Sequence, residues 1–129
     1  LNNGGSVTTE FTSSVLNVVN STISGSRNDS LNFGSAINAN GTLTVVNSNI
    51  TGGGFGPGAI NAANGPVLIQ NTLIAGNSAG TATNSTGGLR VSNVASATVI
   101  NSTIVGNYTD ATGTNRSGGI VAETGTVNL

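Results

Sequence analysis

Leu43-Thr-Val-Val-Asn-Ser-Asn-Ile-Thr-Gly52 is one of four near copies of a ten-residue segment, and its reading decides the fold. The others are Leu16-Asn-Val-Val-Asn-Ser-Thr-Ile-Ser-Gly25, Val67-Leu-Ile-Gln-Asn-Thr-Leu-Ile-Ala-Gly76 and Ala97-Thr-Val-Ile-Asn-Ser-Thr-Ile-Val-Gly106. The anchor asparagines Asn20, Asn47, Asn71 and Asn101 are separated by 27, 24 and 30 residues. Within each copy the side chains alternate with period two, as a strand requires. Leu43, Val45 and Asn47 share one direction, and Thr44 and Val46 the other. The phase shifts after Asn47, so that Ile50 returns to the first face, which is what a corner between two short strands needs. Helix is a poor alternative for stretches so rich in β-branched residues and so punctuated by Gly.

A second element lies between the copies, a small residue or glycine pair followed by an aliphatic. It reads Gly5-Ser-Val7, Ser35-Ala-Ile37, Gly58-Ala-Ile60, Gly87-Gly-Leu89 and Gly118-Gly-Ile120. Two or three short strands recurring at such intervals make a solenoid, in which stacked coils bury what one repeat cannot. The expected fold is all-β: a parallel β-helix of about four to five coils, with about 23–31 residues per coil. The expected inward rows are Ile23/Ile50/Ile74/Ile104, Val18/Val45/Ile69/Val99 and Val7/Ile37/Ile60/Leu89/Ile120. Asn20, Asn47, Asn71 and Asn101 are expected as a buried asparagine ladder at one corner. Residues 1–129 are read as a single solenoid domain, a segment of a longer or end-to-end stacked assembly.

These glycine-aliphatic strands, alternating with Leu-Thr-Val-x-Asn-Ser-Thr-Ile-x-Gly-Asn, resemble the right-handed parallel β-helix repeats of bacterial surface proteins. The resemblance is to polymorphic outer-membrane-protein-like and autotransporter-passenger-like adhesins, and it covers nearly the whole chain. The glycine pair is incomplete at Ser35-Ala36 and Gly58-Ala59. The resemblance implies an extracellular or cell-surface structural or adhesive module.

Composition narrows the function classes. The 129 residues carry three Arg, no Lys and four carboxylates, for a net charge of −1. Such a chain has no basic field for nucleic acid and no charge run for a membrane surface. Cys and His are both absent, which removes disulfides, thiol chemistry and the commonest general base. Gly, Asn, Ser and Thr exceed half of the chain, but the regular aliphatic spacing and the near absence of Pro, two in 129 residues, speak against disorder. No apolar run is long enough to span a bilayer as a helix.

No catalytic residue, metal ligand or cofactor is expected. A glycosidase needs two carboxyl groups about 5–9.5 Å apart. Glu10 and Glu123 follow their aliphatics by the same offset in the first and last coils, so four coil steps put them roughly 19 Å apart. Asp29 and Asp110 are likewise separated by three coils. Calcium through Gly-x-Asp repeats lacks its motif. The chain is therefore expected not to be an enzyme, with a polysaccharide-binding or polysaccharide-cleaving β-helix as the alternative.

The variable loops at about 26–33, 53–57, 77–86 and 107–117 are the expected binding edge. They carry Arg27, Asp29, Phe33, Phe55, Tyr108, Asp110 and Arg116. Host or surface glycans are the expected external partners. Asn28, Asn84, Asn107 and Asn115 are candidate glycosylation sites within loop sequons, whereas Asn20 and Asn101 are expected to be shielded in the ladder. Val19, Val46, Leu68 and Ile100 should form an outward apolar stripe for lateral self-association, alongside end-to-end stacking into a filament.

Overall fold

The computed structural model describes residues 7–26, 36–54, 57–80, 85–94, 96–110 and 116–129. It is an all-β, parallel solenoid, and no helix forms among the described residues. The strands are β1 (Val7–Thr8), β2 (Ser14–Val19), β3 (Thr22–Ser24), β4 (Ile37–Val46), β5 (Asn49–Thr51), β6 (Ile60–Ala63), β7 (Val67–Gln70), β8 (Leu73–Ala75), β9 (Ser78–Ala79), β10 (Leu89–Ser92), β11 (Ser96–Ile100), β12 (Thr103–Val105), β13 (Tyr108–Thr109), β14 (Ile120–Ala122) and β15 (Thr126–Asn128).

They stack on three faces. Face 1 runs β1, the first half of β4, β6, β10, β14. Face 2 runs β2, the second half of β4, β7, β11, β15. Face 3 runs β3, β5, β8, β12. The ten-residue β4 crosses the corner between faces 1 and 2 unbroken, joining them into one nine-stranded sheet. Its corner is tight because Gly41, at φ 127°, sits against the Ser14 backbone where a side chain would collide.

Register follows the aliphatic rows. Val7, Ile37, Ile60, Leu89 and Ile120 pair in one file. Val18, Val45, Ile69 and Val99 pair in another, and Ile23, Ile50, Ile74 and Ile104 in a third. Ile37, Leu43, Ile50, Ile60, Ile69, Ile74 and Leu89 are fully buried, at 0% exposure. Each buried aliphatic contributes about 1.5–3 kcal/mol relative to an exposed one, and none could bury within a single coil.

Two left-handed corners flank face 3. Asn20, Asn47, Asn71 and Asn101 take φ of 50°, 50°, 49° and 47°, and Gly25, Gly52, Gly76 and Gly106 take φ of 62–64°. Asn and Gly are the residues that enter this region at least strain. The anchor asparagines are therefore exposed corner residues, not the buried ladder expected from alternation. The alternation ends where the backbone changes hand. One amide bond links two of them, Asn71 Nδ2 donating to Asn47 Oδ1 at 3.1 Å, and it is exposed.

The corner is stitched instead by the residue after each asparagine. The hydroxyls of Ser21, Ser48, Thr72 and Ser102 each donate to the carbonyl two residues back, at 2.8–2.9 Å. Three of them also accept from the next lower coil: Ser21 N–H donates to Ser48 Oγ, Ser48 N–H to Thr72 Oγ1 and Thr72 N–H to Ser102 Oγ. Ser48 and Thr72 are only 2% exposed, so these bonds satisfy backbone donors that water does not reach.

Candidate binding face

A true interior amide ladder lies six residues beyond the anchors, where Asn77 is fully buried. Its Oδ1 accepts the Gly53 N–H at 3.0 Å. Its Nδ2 donates to the Ile50 carbonyl at 3.0 Å and to Asn107 Oδ1 at 2.8 Å. Asn107 repeats the pattern one coil on: Oδ1 accepts the Asn77 N–H and Nδ2 donates to the Ile74 carbonyl. Asn107 is thus half-buried in the stack. Its amide is committed, which corrects its expected place as a loop sequon open to a glycan. Conversely Asn20 and Asn101, expected to be shielded, are exposed.

The expected loop edge is only partly visible. Arg27, Asp29, Phe33, Phe55, Asn28, Asn84 and Asn115 lie outside the described residues. The segments 77–86 and 107–117 do not begin as loops, because β9 and β13 pair there as a short fourth ribbon. Tyr108 is 55% exposed on that ribbon, and its N–H donates to the Asn77 carbonyl. Asp110 follows it, exposed, with its N–H on the Ala79 carbonyl. Arg116 is also exposed and holds a partner. The glycine pairs let this ribbon pack: a methyl on Gly87 would press on the Tyr108 backbone, and one on Gly118 would meet the Asn107 carbonyl.

The outward stripe of face 2 is in register, Val19 beside Val46, Gln70 and Ile100. Val19 and Ile100 are 48% and 41% exposed, whereas Val46 and Leu68 are half-buried. Val15, at 65% exposure, extends this apolar surface and was not among the expected residues.

The richest polar geometry lies on the outside of face 1, which the sequence reading did not single out. Advancing one residue from the aliphatic file gives Thr8, Asn38, Asn61, Arg90 and Val121, all in register. Arg90 donates from Nε and Nη2 to Glu123 Oε1 at 3.1 and 2.8 Å, and from Nη1 to Asn61 Oδ1 at 2.8 Å. Asn61 Nδ2 donates onward to Asn38 Oδ1 at 2.7 Å. A parallel file at the corner has Asn64 Nδ2 donating to Asn40 Oδ1, and Asn40 Nδ2 to the Glu10 carbonyl. The signal was available, because the aliphatic register already fixes this row.

Between the two files runs a groove of about 530 Å³, lined by Thr8, Glu10, Asn38, Asn40, Asn61 and Asn64 among others. Phe11 follows Glu10 in the chain and is 73% exposed. Glu10 and Glu123 stand at opposite ends of the face 1 stack, in keeping with their expected separation. Among the described residues no three His, Cys, Asp or Glu side chains gather as metal ligands would. No protein-family model, curated protein or solved structure matches this chain.

Proposed function

We propose that the chain is a structural and adhesive module of an extracellular or cell-surface protein, a right-handed β-helix of four to five coils. The observation that carries this reading is where its recurring polar groups are spent. The Ser21/Ser48/Thr72/Ser102 hydroxyls and the Asn77/Asn107 amides bond coil to coil, stiffening a rod. The likeness of its repeats to polymorphic outer-membrane-protein-like and autotransporter-passenger-like adhesins points the same way.

On this reading the chain works without catalysis or cofactor. It associates end to end through its terminal coils, or laterally through Val19, Val46, Leu68 and Ile100. End-to-end stacking continues the face 1 register, so Glu123 of one copy comes beside Glu10 of the next. That like-charge contact favours assembly at high salt or with a bridging cation. Electron microscopy of the purified chain tests this. Rods or fibres one solenoid wide are expected, whereas single-subunit particles at every concentration and salt would reject self-stacking.

A polysaccharide-directed protein is the second reading, favoured by the polar groove on face 1. Release of reducing ends from a polysaccharide panel, abolished by Glu10→Gln or Asp110→Asn, would replace the structural reading with an enzymatic one.

A further inference from the structure

We infer that the face 1 groove is a binding site for an uncharged glycan lying along the solenoid axis, one sugar ring to each coil. The inference rests on the adhesive half of the proposed function and is independent of filament formation.

Three observations carry it. The first is the polarised hydrogen-bond chain. Glu123 holds Arg90, Arg90 donates to Asn61, and Asn61 donates to Asn38. Each bond polarises the next, so the chain strengthens toward its end in the groove. There Asn38, whose Oδ1 takes the Asn61 bond, keeps its amide N–H groups to donate, and Asn40, Asn64 and Glu10 line the groove with it. Amide donors and acceptors side by side along a groove suit hydroxyl groups, each of which both donates and accepts.

The second observation is charge. Arg90, the arginine on this face, is already paired with Glu123 at 2.8 Å, with both side chains about one-fifth exposed. An anionic glycan would meet Glu10 and find that cation engaged. A neutral one meets neither penalty.

The third is spacing and shape. Thr8, Asn38 and Asn61 repeat at the coil interval of about 4.8 Å, close to the length of one ring in an extended β-linked chain. The groove, at about 530 Å³, falls within the size range of small-ligand sites.

The test is titration of the isotope-labelled 129-residue chain with a neutral β-1,4-linked glucose tetrasaccharide, followed by amide NMR. A tetragalacturonate of the same length serves as the anionic comparison. Saturable shifts confined to residues 8–11, 38–40 and 61–64 are expected with the neutral ligand. Asn38→Ala and Asn61→Ala should each weaken binding about fivefold, the worth of one hydrogen bond. Thr98→Ala, on face 2, should leave binding unchanged, and unaltered circular dichroism of each variant shows that the coils remain stacked. Equal or tighter binding of the tetragalacturonate would overturn the inference. So would the absence of saturable shifts, or shifts on face 2 or at Tyr108. Rods that still form in the last two cases would leave the structural reading standing, separating its fate from that of the groove.

Discussion

Asn77→Ala and Asn71→Ala make the same chemical change at two asparagines six residues apart, and their stabilities should differ severalfold. Asn77 is fully buried. Truncation leaves the buried Gly53 N–H without its Oδ1 partner and removes the bonds to the Ile50 carbonyl and Asn107 Oδ1. One orphaned donor at about 1–3 kcal/mol and two lost bonds at about 1 kcal/mol each give a destabilisation of about 3–5 kcal/mol. Asn71 is exposed and loses a solvent-facing bond to Asn47. Its main penalty is alanine held at the left-handed φ of 49°, about 1 kcal/mol. Urea unfolding followed by circular dichroism would measure both. A stacked repeat need not unfold in one step, so hydrogen exchange at the Gly53 amide supplies a local readout. That amide should lose its protection in Asn77→Ala and keep it in Asn71→Ala. Asn77→Asp sharpens the case: it retains the acceptor for Gly53 but aims a buried carboxylate at two other acceptors. It should be the least stable variant at neutral pH and recover as acid protonates it. Equal destabilisation by the two alanine variants, or a still-protected Gly53, would refute the assignment of the interior ladder.

At the corner, Asn47→Gly should stay within a few tenths of a kcal/mol of the parent, because glycine also accepts a positive φ. Thr72→Val, nearly isosteric, should lose about 1–2 kcal/mol by orphaning the Ser48 N–H; urea midpoints compare the two. Gly88→Ala would drive a methyl into the Gly119 carbonyl and the Ile104 side chain, whereas Gly76→Ala meets nothing and carries only backbone strain. The first should lose about 3 kcal/mol or more and the second about 1 kcal/mol, read by thermal melts. Arg90→Met should destabilise by about 1–3 kcal/mol, since its partner Glu123 is mostly buried. A double-mutant cycle with Glu123→Gln should return a coupling of about 1 kcal/mol or more, shrinking as salt is added.

The stacking of this chain was legible because inward positions select for one property, bulk without polarity, in every coil. That is why the alignment of Ile37, Ile60 and Leu89 is readable in the sequence alone. The anchor asparagines misled because period two was carried one residue too far. Asn47 continues the Leu43–Val45 parity on paper, but its positive φ ends the strand and turns the side chain to solvent. A corrective signal was present. Each anchor is followed five residues later by a glycine, so every copy pairs the two residue types that tolerate the left-handed region. The buried pair was harder to see. Its file, the residue after each corner glycine, reads Ser26, Gly53, Asn77 and Asn107, so asparagine recurs in only two of the four coils, and nothing in that spacing alone marks the side chains as turned inward.

The same contrast separates scaffold from site. Where stacking imposes one requirement on every coil, residue types recur: aliphatics inside, Asn then Ser or Thr at one corner, Gly at the next. On the outer row of face 1 they change at three of the four steps, from Thr8 to Asn38, from Asn61 to Arg90 and from Arg90 to Val121, although the backbone is in register throughout. A solvent-facing row is under no packing demand to vary in this way, nor to build a hydrogen-bonded chain from unlike groups. Arg90 and Glu123 there are two of the seven charges in the whole chain, and they meet each other across adjacent coils. In a chain so sparing of charge, placing a pair where it orients Asn61 and Asn38 stiffens that row against solvent. A row held in fixed orientation loses less entropy when a ligand binds it. Face 1 therefore combines two things a recognition surface on a repeat scaffold requires, side chains that differ between most coils and side chains oriented by hydrogen bonds to one another.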